Sequence, residues 1–217
     1  MLPFSVEQFF EVFASYNKAI WPAQIVALLM GALALVLLFR RSRLSDEVIA
    51  GILAAMWAWT GIAYHLMFFA TINKLAYGFG ALFTLQAAAL AYVGLFQRRL
   101  TFGASNAPIA WIGVAFVLYA AVIYPLVGVV AGHAPAELPA FGVTPCPVVI
   151  FTFGMLLLTI RPVPRLLLII PILWSLIGGS AAILLRVPQD WLLLVSGIVS
   201  VALLAGREQR LVTASSQ

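Results

Sequence analysis

Long runs of apolar residues, separated by short polar segments, make up most of the chain between residues 21 and 205. A helix needs about 20 mostly apolar residues to cross the hydrocarbon core of a bilayer, which is about 30 Å thick. Seven runs are candidates for such helices: 21–39, 48–69, 75–96, 107–130, 147–160, 165–185 and 191–205. The pattern predicts an all-α fold, an integral membrane bundle of seven transmembrane helices.

The composition agrees with a membrane location. Of the 217 residues, 64% are hydrophobic and 9% are charged, whereas soluble domains have about 45–50% apolar and about 25% charged residues. The mean hydropathy is +1.10. The net charge of +5 sits in short clusters between apolar runs, as in membrane proteins, so we expect the bilayer and not nucleic acid as a partner.

The basic residues predict the orientation. Nine of the twelve Lys and Arg residues follow the first, third, fifth and seventh spans, and the other three lie on the opposite side. Cytoplasmic loops carry the excess of Lys and Arg, so the N-terminus is expected outside and the C-terminus in the cytoplasm. Residues 20–206 then form the transmembrane domain and residues 207–217 a cytoplasmic tail. This orientation places five side chains in an outer aromatic belt: Trp21, Tyr77, Tyr124, Trp174 and Trp191.

Residues 1–19 predict an amphipathic helix that lies on the outer membrane surface. Ser5 and Gln8 fit a capping box, and Phe4 with Phe9 fits a hydrophobic staple. One helical face collects the apolar side chains Val6, Phe9, Phe10, Phe13 and Tyr16, and the opposite face carries Glu7, Glu11 and Ser15. The helix is either a packing and orientation element or a lid over an outer cavity.

The fifth span is unusually short. Residues 147–160 give about 21 Å of helix at about 1.5 Å per residue, less than the membrane thickness. In one interpretation, the preceding run 141–147 enters the membrane and exposes unpaired N–H groups at a helix N-terminus to a ligand. In the other, a packed proline turn precedes a tilted short helix.

Ionisable side chains within the spans are functional candidates, and this chain has almost none. All seven acidic residues fall in linkers, termini or the surface helix. His65 is the exception, near the outer end of the second span. It shares a helical face with Ala54, Ala58 and Gly61, so it is directed towards protein. It is either a packing histidine or a ligand contact.

These features leave three hypotheses. The first is a small transporter or permeation protein for a neutral or weakly anionic molecule, without catalytic residues. Its outer-facing site is expected to use His65, Asn73, Thr144, Cys146, Trp57 and Tyr64. The second is a metal- or haem-binding protein that uses Cys146, His65 and His133, since thiolate and imidazole suit soft and borderline metals. The third is a structural or assembly subunit, and a homo-oligomer is compatible with all three.

Four stretches of the chain carry a resemblance to a known family. They are the opening run 2–10, the Trp- and His-containing run 57–65, the Thr-Pro-Cys-Pro run that starts at Thr144, and the run 170–181 around Trp174. The chain resembles an uncharacterised family of bacterial polytopic membrane proteins, catalogued only as a domain of unknown function. The resemblance implies a multi-pass protein of the bacterial inner (plasma) membrane. It implies no activity, cofactor or functional residue.

Overall fold

The computed structural model describes residues 3–40, 42–104, 107–185 and 187–215. Within them lie the helices α1 (Val6–Ala19), α2 (Ala23–Leu38), α3 (Arg43–Trp59), α4 (Ala76–Ala91), α5 (Pro108–Leu118), α6 (Tyr124–Val130), α7 (Pro145–Leu157), α8 (Leu166–Leu185) and α9 (Trp191–Ser215). Three π-helical segments extend or join these helices: Thr60–Phe68, Tyr92–Phe96 and Tyr119–Ile123. The prediction of an all-α fold is confirmed.

Each of the seven predicted spans contains a helix, but the helices differ in their capacity to cross a membrane. Five stretches are long and apolar enough: Arg43–Thr71, Ala76–Phe96, Pro108–Val130, Leu166–Leu185 and Pro188–Gln209. Helices α1 and α2 meet at a bend of 84° and count as a sixth span only if they form one broken helix. Helix α7 has 13 residues. By length and composition, the described residues therefore provide five or six spans.

Helix α7 is the centre of the bundle. Every one of its residues is buried, and it packs against α3, α5, α8 and α9. It approaches α5 most closely where two glycines face each other. A Cβ atom on Gly113 would lie 2.8 Å from the carbonyl oxygen of Gly154, and the reverse distance is the same. A helix enclosed in this way needs no polar face, which explains why its sequence is apolar apart from Thr152, whose hydroxyl donates to the carbonyl oxygen of Val148 within the helix at 2.7 Å.

The outward faces of the other helices are apolar and exposed. Leu29, Phe96, Ile169 and Ile198 are each more than 60% exposed. Soluble monomers rarely expose contiguous apolar patches larger than a few hundred Å². These surfaces, on helices long enough to span, suit a lipid environment.

A proline in α8 is compensated by a side chain from α4. Pro171 has no N–H to donate to the carbonyl oxygen of Leu167 four residues earlier. The side chain of Gln86 donates to that carbonyl oxygen instead, at 2.9 Å. Helix α8 therefore continues past Pro171 to Leu185 without leaving the freed carbonyl unpaired.

Arg207 of α9 closes the C-terminal end of α7. Its guanidinium donates hydrogen bonds to the carbonyl oxygen of Thr159 at 2.6 Å, the Thr159 hydroxyl at 2.9 Å and the carbonyl oxygen of Arg161 at 3.0 Å. A cation near a helix C-terminus also interacts favourably with the helix dipole. The first turn of the predicted 207–217 tail is thus part of the folded bundle.

At the other end of the bundle, α1 lies across the chain that leads into α7. The capping box of Ser5 and Gln8 is confirmed. The Tyr16 hydroxyl donates to the carbonyl oxygen of Val143 at 2.6 Å and accepts from Trp59 Nε1 at 3.0 Å. Burial raises the pKa of Tyr16, so the hydroxyl remains a hydrogen-bond donor. These bonds tie α1 to both α3 and the loop before α7.

Candidate binding cavity beneath the N-terminal helix

A cavity of about 290 Å³ lies between α1 and the helices beneath it. Phenylalanine rings of the N-terminal segment form its cover: Phe4, Phe9 and Phe13. The remaining wall comes from the π-helical segment after α3, the start of α4, the start of α7, and α8. Its lining is mainly apolar with a few polar groups, which is typical of small-molecule sites.

His65 is the central polar residue of the cavity wall. Its side chain is fully buried and surrounded by five aromatic rings. The ring centroids lie 4.8 Å away for Phe83, 5.1 Å for Tyr64 and Trp174, 5.8 Å for Phe79 and 6.1 Å for Phe69. Among the described residues, neither imidazole nitrogen has a hydrogen-bond partner. An imidazole always carries at least one N–H donor, so the His65 ring has a donor for which the described residues provide no acceptor.

Trp174 presents a third unpartnered nitrogen to the same cavity. The residue is 7% exposed. Its Nε1 atom has no hydrogen-bond partner of normal geometry in the part of the chain that the structure describes, and the thiol of Cys146 lies beside it. Leaving a buried donor or acceptor unpaired costs about 1–3 kcal/mol. Three such nitrogens belong to His65 and Trp174, which both line the cavity, and each nitrogen is itself fully buried in the protein. This arrangement can bind a ligand that carries a hydroxyl or carbonyl group.

The π-helical segment Thr60–Phe68 positions His65. A π-helical turn widens the helix, and such turns occur frequently at functional sites. Gly61, the second residue of the segment, packs closely on α4, because a Cβ there would lie 3.0 Å from the carbonyl oxygen of Gly80. His65 follows one turn later, and its ring lies beside Phe79 and Phe83 of α4.

A carboxyl group also lines the cavity. Asp190 is 4% exposed and accepts a hydrogen bond from the hydroxyl of Tyr124. The thiol of Cys146 lies beside this carboxyl group. An acidic group in the wall disfavours anionic ligands and suits ligands that donate a hydrogen bond.

Four of the six predicted substrate contacts lie together in the cavity wall: Tyr64, His65, Asn73 and Cys146. Trp57 does not line the cavity. Its Nε1 donates to the hydroxyl of Thr152 at 2.9 Å and joins α3 to α7. Thr144 is also outside the wall, and its hydroxyl donates to the carbonyl oxygen of Ala140 at 2.7 Å. Both side chains bond protein groups outside the cavity wall.

The start of α7 offers fewer N–H groups than its position suggested. Thr144 is the N-cap, and Pro145 begins the helix. Pro147 follows, and the N–H of Val148 donates to the carbonyl oxygen of Thr144 at 3.3 Å. Because proline has no N–H, Cys146 carries the one amide hydrogen in the first three helical positions. The interpretation in which the start of α7 exposes several unpaired backbone N–H groups to a ligand is therefore wrong.

The structure does not bring the three predicted metal ligands together. His133 packs its ring edge against Phe10, with the centroids 4.1 Å apart, and does not line the cavity that holds His65 and Cys146. In residues 3–40, 42–104, 107–185 and 187–215, no three His, Cys, Asp or Glu side chains are grouped so that they could hold a metal ion.

The sequence did not indicate that Asp190, Tyr124 and Trp174 would be buried at this end of the bundle. Asp190 was expected in a linker, and Tyr124 and Trp174 in the outer aromatic belt. Tyr124 is fully buried, whereas Trp21 and Trp191 of the same expected belt are more than 60% exposed. One signal was present for Trp174: Gly178 lies one helical turn later, and a Cβ there would lie 3.2 Å from Trp174 Nε1.

The helices and the cavity define an all-helical protein with several helices long and apolar enough to span a membrane, and with a partly polar cavity beneath its first helix. The chain belongs to a family of unknown function, DUF6064, which matches residues 6–215. No curated protein matches the chain. No solved structure matches it either.

Proposed function

We propose that this chain is a seven-span membrane protein with its N-terminus outside and α1 on the outer membrane surface. Two observations support this topology. Basic residues follow every second predicted span, and each predicted span contains a helix. The bend of 84° between α1 and α2 suits a surface helix followed by a spanning one. Helices α2, with 16 residues, and α7, with 13 residues, are both short for a straight span, and non-helical chain completes each crossing. Helix α7 is enclosed by its neighbours, where non-helical backbone at membrane depth is tolerated.

Cysteine accessibility tests this topology. In a Cys146→Ser background, Lys18→Cys and Gln97→Cys place single thiols at exposed positions, in the last turn of α1 and just beyond the π-helical segment that follows α4. In intact cells, a membrane-impermeant maleimide should label Lys18→Cys, and it should label Gln97→Cys only after the membrane is permeabilised. The reverse pattern would show that the orientation is wrong, and labelling of both in intact cells would contradict the number of spans between them.

We propose that the cavity binds a small neutral molecule with an apolar body and a hydrogen-bonding group. This binding is one step of a transport or permeation process. The three unpartnered nitrogens of His65 and Trp174 in a cavity of about 290 Å³ carry this proposal. Asp190 in the wall favours a neutral over an anionic ligand. The spans hold few charged groups, which suits a process that is not coupled to an ion.

A matched pair of probes tests the proposal. The compounds 1-naphthol and naphthalene have the same apolar body, and one of them carries a hydroxyl group. We expect 1-naphthol to raise the Tm of the purified protein in detergent by several degrees more than naphthalene, because ligands that bind the folded state stabilise it. Equal shifts for the two compounds would show that the polar groups of the cavity play no part.

Variants locate the binding. The double variant His65→Phe/Trp174→Phe should abolish the difference between the two probes. Trp57→Phe should retain it, because Trp57 bonds Thr152 away from the cavity. If the double variant responds like the wild type, the molecule does not bind in this cavity. A protein that responds to no probe would favour the assembly-subunit hypothesis.

A further inference from the structure

One face of α8 is exposed along its whole length. Ile169, Leu173, Leu176, Ser180 and Ile183 follow one another at steps of four, three, four and three residues, and all five are exposed. This spacing describes a single helical stripe. Four of the five side chains are aliphatic, as a lipid-facing stripe requires, and Ser180 is the polar exception.

Ser180 also lines the cavity that contains His65. A residue that is both on the exposed stripe and in the cavity wall marks an opening. Leu184, one turn further along α8, and Leu75, just before α4, are likewise both exposed and part of the cavity wall. Leu75 and Leu184 are each 67% exposed. The cavity therefore reaches the surface between the start of α4 and the end of α8.

The opposite direction, towards the outer surface, is covered by α1, and Pro3 is the exposed wall residue at the edge of this cover. Phe9 and Phe13 of α1 lie over the cavity, and Phe13 is 2% exposed. Helix α1 is held in place by hydrogen bonds from Asn17 to the carbonyl oxygens of Ala136 and Leu138, each at 2.8 Å. A molecule from the aqueous side would have to displace this cover.

We infer that the cavity is loaded sideways from the membrane, through the gap between α4 and α8, by a molecule dissolved in the leaflet nearest α1. This inference rests on the proposed function and names its ligand class. Since a water molecule occupies about 30 Å³ in the liquid, a cavity of about 290 Å³ has room for about ten non-hydrogen atoms. The ligand is a neutral bilayer-soluble alcohol, phenol or carbonyl compound of about that size.

The polar atoms of the cavity fit this class. His65 in its neutral form offers one donor and one acceptor, and Trp174 offers one donor. A ligand carbonyl accepts from either N–H group, and a ligand hydroxyl accepts from the Trp174 N–H and donates to the unprotonated imidazole nitrogen of His65. The apolar body then contacts Phe9, Phe79 and Ile177 in the wall. The polar end enters first, because the unpartnered nitrogens lie inside and two of the three mouth residues, Leu75 and Leu184, are aliphatic.

The rate of loading tests the route, because the equilibrium occupancy does not depend on it. A diazirine-bearing octanol is added to the protein in lipid nanodiscs, samples are irradiated at successive times, and labelled peptides are identified by mass spectrometry. Label is expected on the wall peptides that contain Trp174 and His65. Ser180→Trp places an indole in the mouth and should slow loading at least tenfold, with the wild-type level reached at long incubation.

Leu176→Trp is the matched control. It places the same side chain on the same stripe, one turn away and outside the cavity wall, and should load at the wild-type rate. Leu184→Trp obstructs the mouth from its other edge and replaces Ser180→Trp if that variant does not fold. Loading of both mouth variants at the wild-type rate, with the label still on the wall peptides, would overturn the lateral route and leave the proposed function intact. Unchanged labelling of His65→Phe/Trp174→Phe would instead reject the proposed function.

Discussion

The polar groups beyond the two ends of helix α7 differ in whether they have hydrogen-bond partners. Beyond its C-terminal end, Arg207 donates three hydrogen bonds to Thr159 and Arg161. Beyond its N-terminal end, the cavity contains three nitrogens of His65 and Trp174 for which the described residues offer no partner. Helix α7 thus separates a closed end, where these polar groups are paired, from an open end, where three nitrogens lack a partner among the described residues.

This difference decides whether the free-energy gain from pairing a polar group appears as stability of the fold or as binding of a ligand. An unpaired buried polar group costs about 1–3 kcal/mol, and the penalty disappears when a partner is supplied. At the Arg207 end, the protein supplies the partner, so the gain appears as stability of the fold. At the His65 end, the gain is available only to a ligand. Substitutions at the two ends should therefore change the free energy of unfolding in opposite directions.

The largest effect is expected at the closed end. Arg207→Met keeps much of the apolar stem but removes all three hydrogen bonds, which leaves the carbonyl oxygens of Thr159 and Arg161 without this donor. Hydrogen bonds to a charged group contribute about 1.5–3 kcal/mol, so we expect a loss of about 3 kcal/mol. Thermal unfolding in detergent, followed by circular dichroism, measures it.

Arg165→Met is the control for this variant. Arg165 pairs with Glu208 at 3.2 Å, and the two side chains are 82% and 41% exposed. Exposed ion pairs contribute about 0–1 kcal/mol, so this variant should unfold close to the wild type. Equal losses for the two variants would contradict a specific role for Arg207.

A smaller effect is expected at Gln86, which bonds the carbonyl oxygen freed by Pro171. Gln86→Leu has a similar shape and leaves the carbonyl oxygen of Leu167 unpaired, with an expected loss of about 2 kcal/mol. In a Pro171→Ala background, the new N–H restores the helical hydrogen bond to Leu167. The loss caused by Gln86→Leu should then fall well below its value in the wild type.

The double-mutant cycle formed by these variants isolates the interaction. An unchanged loss in the Pro171→Ala background would show that Gln86 stabilises the bundle by packing and not by its bond to Leu167. Its side-chain oxygen has no partner among the described residues, so the gain from this residue comes through its N–H group.

The helices of this fold were predictable from the sequence because apolar length alone decides them. All seven predicted spans contain a helix, and the capping box at Ser5 is present. The positions of the bends were harder to predict from the sequence. The bend between α1 and α2 and the π-helical segment Thr60–Phe68 depend on how helices pack, and the local pattern around His65 is that of an uninterrupted apolar helix.

The site was predictable only in part, for the same reason. His65 stood out because ionisable groups are rare in apolar runs, and its small-residue face correctly indicated burial. Asp190 carried no such signal, because an acid in a short linker is normally exposed. Trp57 and Thr144 were included because they lie near His65 and Cys146 in the chain, but each bonds a different partner inside the bundle.

At the open end, His65→Phe should stabilise the protein by about 1 kcal/mol, since an apolar ring of similar shape removes two unpaired nitrogens and retains the contacts with Phe83 and Trp174. The Tm should rise in the absence of ligand, and stabilisation by 1-naphthol should decrease. A variant that is less stable than the wild type without ligand would show that His65 already has a partner, and would remove the contrast with Arg207.

The smallest global effect is expected in the cover of the cavity. Ser5→Ala removes the hydrogen bond from the amide of Gln8 to the Ser5 hydroxyl, which measures 3.2 Å, and an N-cap of this kind contributes about 1 kcal/mol to its helix. Helix α1 stays anchored by Tyr16 and Asn17, so the Tm should barely change. Amide hydrogen exchange should accelerate in the first turn of α1 and stay unchanged in α7. Faster exchange in α7 as well would mean that the cover and the closed core unfold together, so that the two ends of the bundle are not independent.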